Sequence, residues 1–302
     1  VGRPDPSPPG AARALVLVST AVFLSSATWF SGTAVIPWLR AEWGLHEGES
    51  AWLTIAVQIG FIAGTLLYAA LNLADVFAAR SVFGLSALLG ALANLGFAWA
   101  SSGLLPALAF RFLTGLTLAG VYPVGMKIVA TWFREGLGAR LGVMVGALTL
   151  GTAAPYLIRA VADPLGWRGV ASIASALAVL GAGLVFLGVR DGPFAKGRSH
   201  FDPRVAFRLF RDAEFRRNAF GYFGHMWELY AVWSLITFYL AARLESSPEP
   251  PRSVALLAFA VVAAGALGCV AGGLASVRWG ERNVALVSLL VSGSACAASG
   301  LA

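Results

Sequence analysis

Apolar residues along this chain neither alternate with a period of two nor trace a single stripe at helical spacing. They run almost unbroken over long stretches, and polar clusters separate the runs. Nine such runs occupy 14–39, 51–73, 82–100, 104–132, 137–158, 169–189, 218–242, 253–277 and 283–302. A helix crossing the hydrocarbon core of a bilayer needs about 20 apolar residues. Backbone polar groups in lipid must be satisfied within the segment or in a closed barrel. Barrel strands would be about ten residues of alternating character, which these runs are not. The pattern predicts about nine transmembrane helices in an all-α integral membrane protein, with the lipid bilayer as its first partner.

Composition agrees. Of 302 residues, 58% are hydrophobic and 12% charged, with a mean hydropathy of +0.75. Soluble domains carry about 25% charged residues, so a water-facing surface built from this chain would expose large apolar patches.

The net charge is +7. A basic excess can signal nucleic acid, but here Lys and Arg fall almost entirely between the apolar runs, which excludes that reading and follows membrane topology. With the N-terminus inside, fifteen of the 22 Lys and Arg lie in inside segments. Five lie outside (Arg40, Arg159, Arg168, Arg243 and Arg252), and Arg111 and Lys127 lie within the fourth run. The expected location is the plasma (cytoplasmic) membrane with a cytoplasmic N-terminus. The chain divides into a cytoplasmic tail (1–13), a six-helix bundle (14–189), a basic cytoplasmic linker (190–217) and three further helices (218–302). Within the linker, Pro203–Arg211 sets Val205, Leu209 and Phe210 on one face and arginines on the rest, the pattern of a helix lying on a membrane surface.

A few polar residues interrupt the runs. Arg111 lies about eight residues, or roughly 12 Å, inside the fourth run. A charge near the midplane is costly and functional by default; the alternative is an arginine capping carbonyls of a neighbouring helix. On a straight helix Arg111, Gly115, Ala119, Tyr122 and Met126 share one face. Lys127 lies within reach of the cytoplasmic surface and is expected to snorkel there. The seventh run holds Glu228, the single acid inside any run, with His225 three residues earlier on nearly the same face. A carboxyl and an imidazole so placed can load and release protons. In the first run, Thr28-Trp29-Phe30-Ser31-Gly32-Thr33 brings hydroxyls and a glycine into apolar sequence. Such breaks line cavities in transporters, and Trp29 is a candidate wall residue. Cys269 and Cys296 sit inside apolar runs without ligand neighbours and read as small buried thiols. The fifth run carries Gly142, Gly146 and Gly151, which permit close helix packing. No cofactor or metal is implied. No HxxxH or Gly-x-Ser-x-Gly appears and His225 alone of three histidines lies within a run, so the chain reads as a non-enzyme.

Six spans, a long basic loop and further spans resemble the major facilitator superfamily, whose halves are six-helix repeats. The family's loop Gly-x-x-x-Asp-Arg-x-Gly-Arg-Arg has two similar segments here. The first, 71–80, keeps Asp75 and Arg80 and lacks both glycines. The second, 273–282, keeps Gly273, Gly280, Arg278 and Arg282 and has Val277 where the acid belongs. The fourth run resembles the family's Arg-x-x-x-Gly signature through Arg111 and Gly115. Gly166-Trp167-Arg168 resembles a tripeptide that the family places at the start of span six, a membrane-interface tryptophan beside a snorkelling arginine.

The resemblance implies a secondary active transporter, working by alternating access and coupled to protons. Spans one, four and seven would line one cavity, with Trp29, Arg111, Tyr122, His225 and Glu228 on the substrate and proton pathway. Asp75, Arg80, Gly273, Arg278, Gly280 and Arg282 would form cytoplasmic gates in which the acid pairs with arginine. The solute would be small and polar, an anion such as a carboxylate, nitrate, nitrite or cyanate suiting a central arginine in the nitrate/nitrite/cyanate-like branch. A multidrug or sugar exporter of the same superfamily, or a non-transporting membrane sensor on the same fold, are the alternatives. Twelve spans are expected of the family and nine are present. With Val1 first and apolar sequence running to Ala302, the expectation is a chain that continues past Ala302 and does not transport alone.

Overall fold

The structure, a computed structural model, describes residues 8–195, 205, 208–244 and 250–299. The described elements are helices, with no strand among the described residues. The first span is not one helix but three: α1 (Ala11–Ser26), α2 (Ser31–Ala34) and α3 (Ile36–Trp43). Hydroxyls cause the break by bonding to nearby carbonyls, Thr28 Oγ1 to Ser25 O and Ser31 Oγ to Thr28 O, each at 2.9 Å. Pro37 sits in the first turn of α3, where its missing N–H is harmless.

Next come α4 (Glu47–Ala70), the short α5 (Leu73–Val76) and α6 (Ala79–Ala100). The fourth span is also broken, into α7 (Leu104–Leu118) and α8 (Tyr122–Ala130), with Pro123 opening the second piece. The expected straight face from Arg111 to Met126 therefore does not exist as drawn, because the backbone changes course at 119–121. The sequence continues through α9 (Leu137–Val161) and α10 (Gly166–Gly188). The second half follows as α11 (Ala213–Arg243), α12 (Pro250–Trp279) and α13 (Glu281–Ser299).

Among the described residues, six segments are long and apolar enough to cross a membrane: 47–70, 79–100, 104–130, 137–161, 163–188 and 252–279. Of the other three expected spans, the first is divided, and α11 and α13 are long but more polar. α11 carries His225 and Glu228 among Tyr and Trp; α13 opens on Glu281-Arg282-Asn283. Of the proposed surface helix at Pro203–Arg211, residues 203, 204, 206 and 207 lie outside the described residues. The start of the linker packs back on the end of α8, with Trp132 Nε1 donating to Arg190 O at 3.0 Å and Phe194 N to Thr131 O at 2.9 Å.

The first half has a layered core. Val18, Val22, Phe83, Ile128, Met144 and Val185 fill one end; Val35, Leu39, Leu53, Phe97 and Trp167 fill the other. Lipid tails are as apolar as these side chains, so close packing rather than expulsion from water holds such helices together. Glycine makes it close: a Cβ on Gly115 would overlap the Val57 carbonyl of α4, and one on Gly60 the Phe112 carbonyl of α7. A second seam joins the halves. A Cβ on Gly142 of α9 would lie 2.8 Å from Cys269 O of α12, and one on Gly273 3.1 Å from Gly142 Cα. Ala153 and Tyr156 of α9 continue that contact against Ala258 and Val262 of α12.

Three expectations change here. Trp167 is not an interface residue: it is 3% exposed and donates to Glu42 Oε2 at 2.6 Å, while Arg168 reaches the other oxygen at 3.2 Å. The acid of α3 draws the tripeptide inward. Arg159 is not in a loop: α9 runs to Val161, so Arg159 stands inside the helix and is buried. Cys296 is exposed rather than buried, because α13 presents that face outward.

Candidate functional site

Arg111 is fully buried. Its Nη1 donates to Thr28 O (3.0 Å), Ser31 Oγ (3.2 Å) and Asn94 Oδ1 (2.9 Å), and its Nη2 donates to Trp29 O. The ring of Phe97 lies 5.5 Å from the guanidinium. The carbonyls are those freed by the break in the first span, so the arginine clasps the unwound turn. Asn94 of α6 extends the network by donating to Ala171 O (2.9 Å) and Ser175 Oγ (3.0 Å) of α10. The charge thus has dipoles around it and no described carboxylate. Arg111 Nε has no described partner.

The clasped turn faces the second half. Trp29 packs on Phe61 of α4 (ring centroids 4.7 Å) and stacks on Tyr230 of α11 (6.2 Å). Phe30 meets Trp233 edge-on at 5.6 Å, and Tyr230 meets Trp233 at 5.9 Å. Tyr122, at the start of α8, lies within electrostatic reach of Tyr222 and Tyr230. The joint between halves is therefore an aromatic layer with the phenols of Tyr122 and Tyr230 packed against the same core, and the indole N–H of Trp29 is buried in it without a described partner.

Glu228 does not join this layer. At about 100° per residue it projects some 200° away from Tyr230 on α11. It turns to α13, where Ser292 Oγ donates to Glu228 Oε1 at 2.6 Å and Cys296 Sγ lies 3.5 Å from the same oxygen. His225 Nδ1 is 3.9 Å from Glu228 Oε2, within ion-pair range and too far for a hydrogen bond. The structure brings His225 and Glu228 together and keeps both apart from Arg111. The single cavity flanked by Arg111 and Glu228 is replaced by an aromatic joint with the arginine behind one wall and the acid behind the other.

A family model described as Major Facilitator Superfamily matches residues 18–302. The chain belongs to that superfamily. The niacin transporter NiaP of Acinetobacter baylyi is 37% identical over 109 residues, 35% of this chain and 24% of NiaP. Among solved structures, a bacterial homologue of the human lysosomal transporter Spinster, inward-facing and unoccupied, matches with a TM-score of 0.64 at 16% identity. That match covers 92% of this chain and 64% of the homologue. A D-xylose–proton symporter gives 0.63 at 14% identity, over 87% of this chain and 68% of the symporter. At these identities the likeness is one of fold. The chain spans less than two thirds of the Spinster homologue's length.

Set against the superfamily's loop pattern, the two similar segments behave differently. In the first, Asp75 meets Lys127 Nζ of α8 at 2.5 Å, and Lys127 also reaches Ala74 O at 2.5 Å. One partner of the acid, which sits in α5, is thus a lysine from the broken fourth span. Arg80 is exposed. In the second segment Gly273 forms the seam with α9, while Arg278 and Arg282 are exposed. Gly280 has φ +77° and makes the α12–α13 turn, a left-handed conformation that glycine adopts freely. The first segment turns instead at Asn72, φ 52°, so the two copies share spacing without sharing a turn.

Asn94, Tyr230, Trp233 and Ser292 escaped sequence reasoning. Asn94 carried a signal, an amide alone among apolar neighbours, which marks a bundle-facing polar residue. The aromatics carried none, since Trp and Tyr are common throughout the chain.

Proposed function

We propose that the protein is a secondary active transporter that moves a small polar solute by alternating access, coupled to protons through Glu228 and His225. One observation carries the reading. The unwound turn of the first span, with the free indole N–H of Trp29, faces Tyr230 and Trp233 of α11 across the joint between halves. Broken helices at a repeat interface are where transporters of this kind bind solute. Trp29, Tyr122 and Tyr230 then contact the solute, and Arg111 acts as a positioning residue that fixes the turn. Glu228, held by Ser292 and near His225, carries the proton on the outer side of the same helix, so its charge state acts on α11 as a whole. Niacin and D-xylose, named for two relatives, are both small polar solutes, and one relative is a proton symporter. The protein sits in the plasma membrane with its N-terminus and the basic 190–217 segment in the cytoplasm, as the distribution of Lys and Arg favours.

The test is uptake of labelled nicotinate, xylose and nitrate by proteoliposomes made with the whole gene product under an imposed proton gradient. Gradient-driven accumulation of one of them, lost in Trp29→Ala and Tyr230→Ala, is the expected result. Full uptake in both variants would remove the joint from the solute path.

A further inference from the structure

A cavity of about 740 Å³ opens between the two halves at the end of the bundle that carries the α3–α4 turn. Arg40 of α3, Leu45 of the turn and Arg159 of α9 form one wall; Phe238 and Ala241 of α11 and Val254 of α12 form the other. The volume is that of a small-molecule site, about 300–1,000 Å³. Two of its lining residues are cations and none is an acid.

Arg159 is 5% exposed. Its Nη1 donates to Ala34 O at 3.0 Å, and its guanidinium lies 5.2 Å from the centre of the Trp38 ring. These contacts set the plane of the group and occupy one of its five N–H donors. No described carboxylate stands within ion-pair distance of it, and Asp163, which is exposed, acts on it from farther away. Arg40 lies 3.6 Å from Glu47, whose side chain is 81% exposed, so that pair is well screened. A nearly buried, oriented cation without a carboxylate partner among the described residues leaves the described lining short of a negative charge. Its planar fork matches a carboxylate through paired N–H···O bonds. The rest of the wall is largely apolar and offers the Phe238 ring.

We propose that this cavity binds a small organic carboxylate, its charged end on Arg159 and its flat apolar body against Phe238, Leu45 and Val254. The site is distinct from the aromatic joint: Phe238 lies eight residues beyond Tyr230 on α11, about 12 Å along the helix.

Titration calorimetry on the 302-residue protein in neutral-detergent micelles tests it, with benzoate as probe and benzamide as its uncharged counterpart. Benzoate is expected to bind and benzamide not. Arg159→Gln should weaken benzoate binding on the order of tenfold or more, and Arg40→Gln by about twofold. Ala241 is exposed, so Ala241→Trp fills the cavity without disturbing the bonds of Arg159 and should abolish binding; it decides the matter if Arg159→Gln does not fold. Tyr230→Ala, which alters the aromatic joint, should bind benzoate like the parent, which separates this site from the solute site of the transport reading. Absence of benzoate binding, or unchanged affinity in folded Arg159→Gln or in Ala241→Trp, overturns the proposal. Affinity for phosphatidylglycerol in place of benzoate also overturns it, in favour of a lipid headgroup.

Discussion

Arg111 in the first half and Glu228 in the second are both charges set in apolar helices, and their surroundings differ in kind. Arg111 is 0% exposed and its acceptors are two carbonyls, a hydroxyl and an amide, all from its own bundle. Glu228 keeps 26% of its side chain exposed and has a hydroxyl, a thiol and a titratable imidazole for neighbours. Helices of the first half bury residues along their length, whereas α11, in a second half of three described helices, buries Thr237 alone among the described residues because fewer neighbours cover it. A charge enclosed by dipoles holds structure; a partly exposed charge beside a hydroxyl, a thiol and an imidazole is the one we propose to carry the proton.

The sharpest way to break this contrast is to remove the enclosed charge. Arg111→Leu leaves the Trp29 carbonyl without its donor, and since the single Ser31 hydroxyl proton can serve only one of them, it also orphans either the Thr28 carbonyl or the Asn94 amide oxygen. Each buried orphan costs about 1–3 kcal/mol, so the loss should be on the order of 3 kcal/mol or more, read by thermal unfolding in micelles. Arg111→Lys keeps the charge but not the fork and should fall between the two, with transport reduced in step with stability. Activity lost at full stability would instead place Arg111 in the solute path.

The glycine seams give the next effect. Gly115→Ala drives a methyl into the Val57 carbonyl and should cost about 1–3 kcal/mol. Gly142→Ala acts at the seam between halves, where its Cβ meets Cys269 O at 2.8 Å. It should cost less, about 1 kcal/mol, and change the exchange between inward and outward forms, read as altered cysteine labelling from the two sides. Equal unfolding costs at the two seams would mean that the halves are packed as firmly against each other as within themselves.

Asp75→Asn should be milder, about 0.5–1 kcal/mol, because the Lys127 pair is partly exposed and screened. Its effect should shrink at high salt.

Much of this was legible in the sequence, for reasons that can be given residue by residue. Long apolar runs favour membrane helices, and the runs at 51–73, 82–100, 104–132, 137–158, 169–189 and 253–277 coincide with segments long and apolar enough to cross a membrane among the described residues. The break in the first span was visible as Thr28–Thr33, because hydroxyls and glycine compete with helix hydrogen bonds in any context. The break at 119–121 was hidden, since Ala119-Gly120-Val121 is ordinary helix sequence and the turn depends on packing. Position along the helix was readable and azimuth was not. Counting residues put Arg111 and Glu228 inside their helices, but which neighbour each would face required the rotation of α7 and α11. That is why the sequence paired them across one cavity while the structure points one into its own bundle and the other towards α13.

Glu228→Gln should change stability least, by no more than about 0.5 kcal/mol, because an amide still accepts from Ser292. It also tests the account most directly. In proteoliposomes, uptake is measured with and without an imposed proton gradient, alongside solute exchange at equal pH on both sides. The account predicts that Glu228→Gln retains exchange and no longer responds to the gradient. A variant that responds to the gradient as the parent does would contradict the assignment of Glu228 as the available charge, and with it the contrast between the two halves.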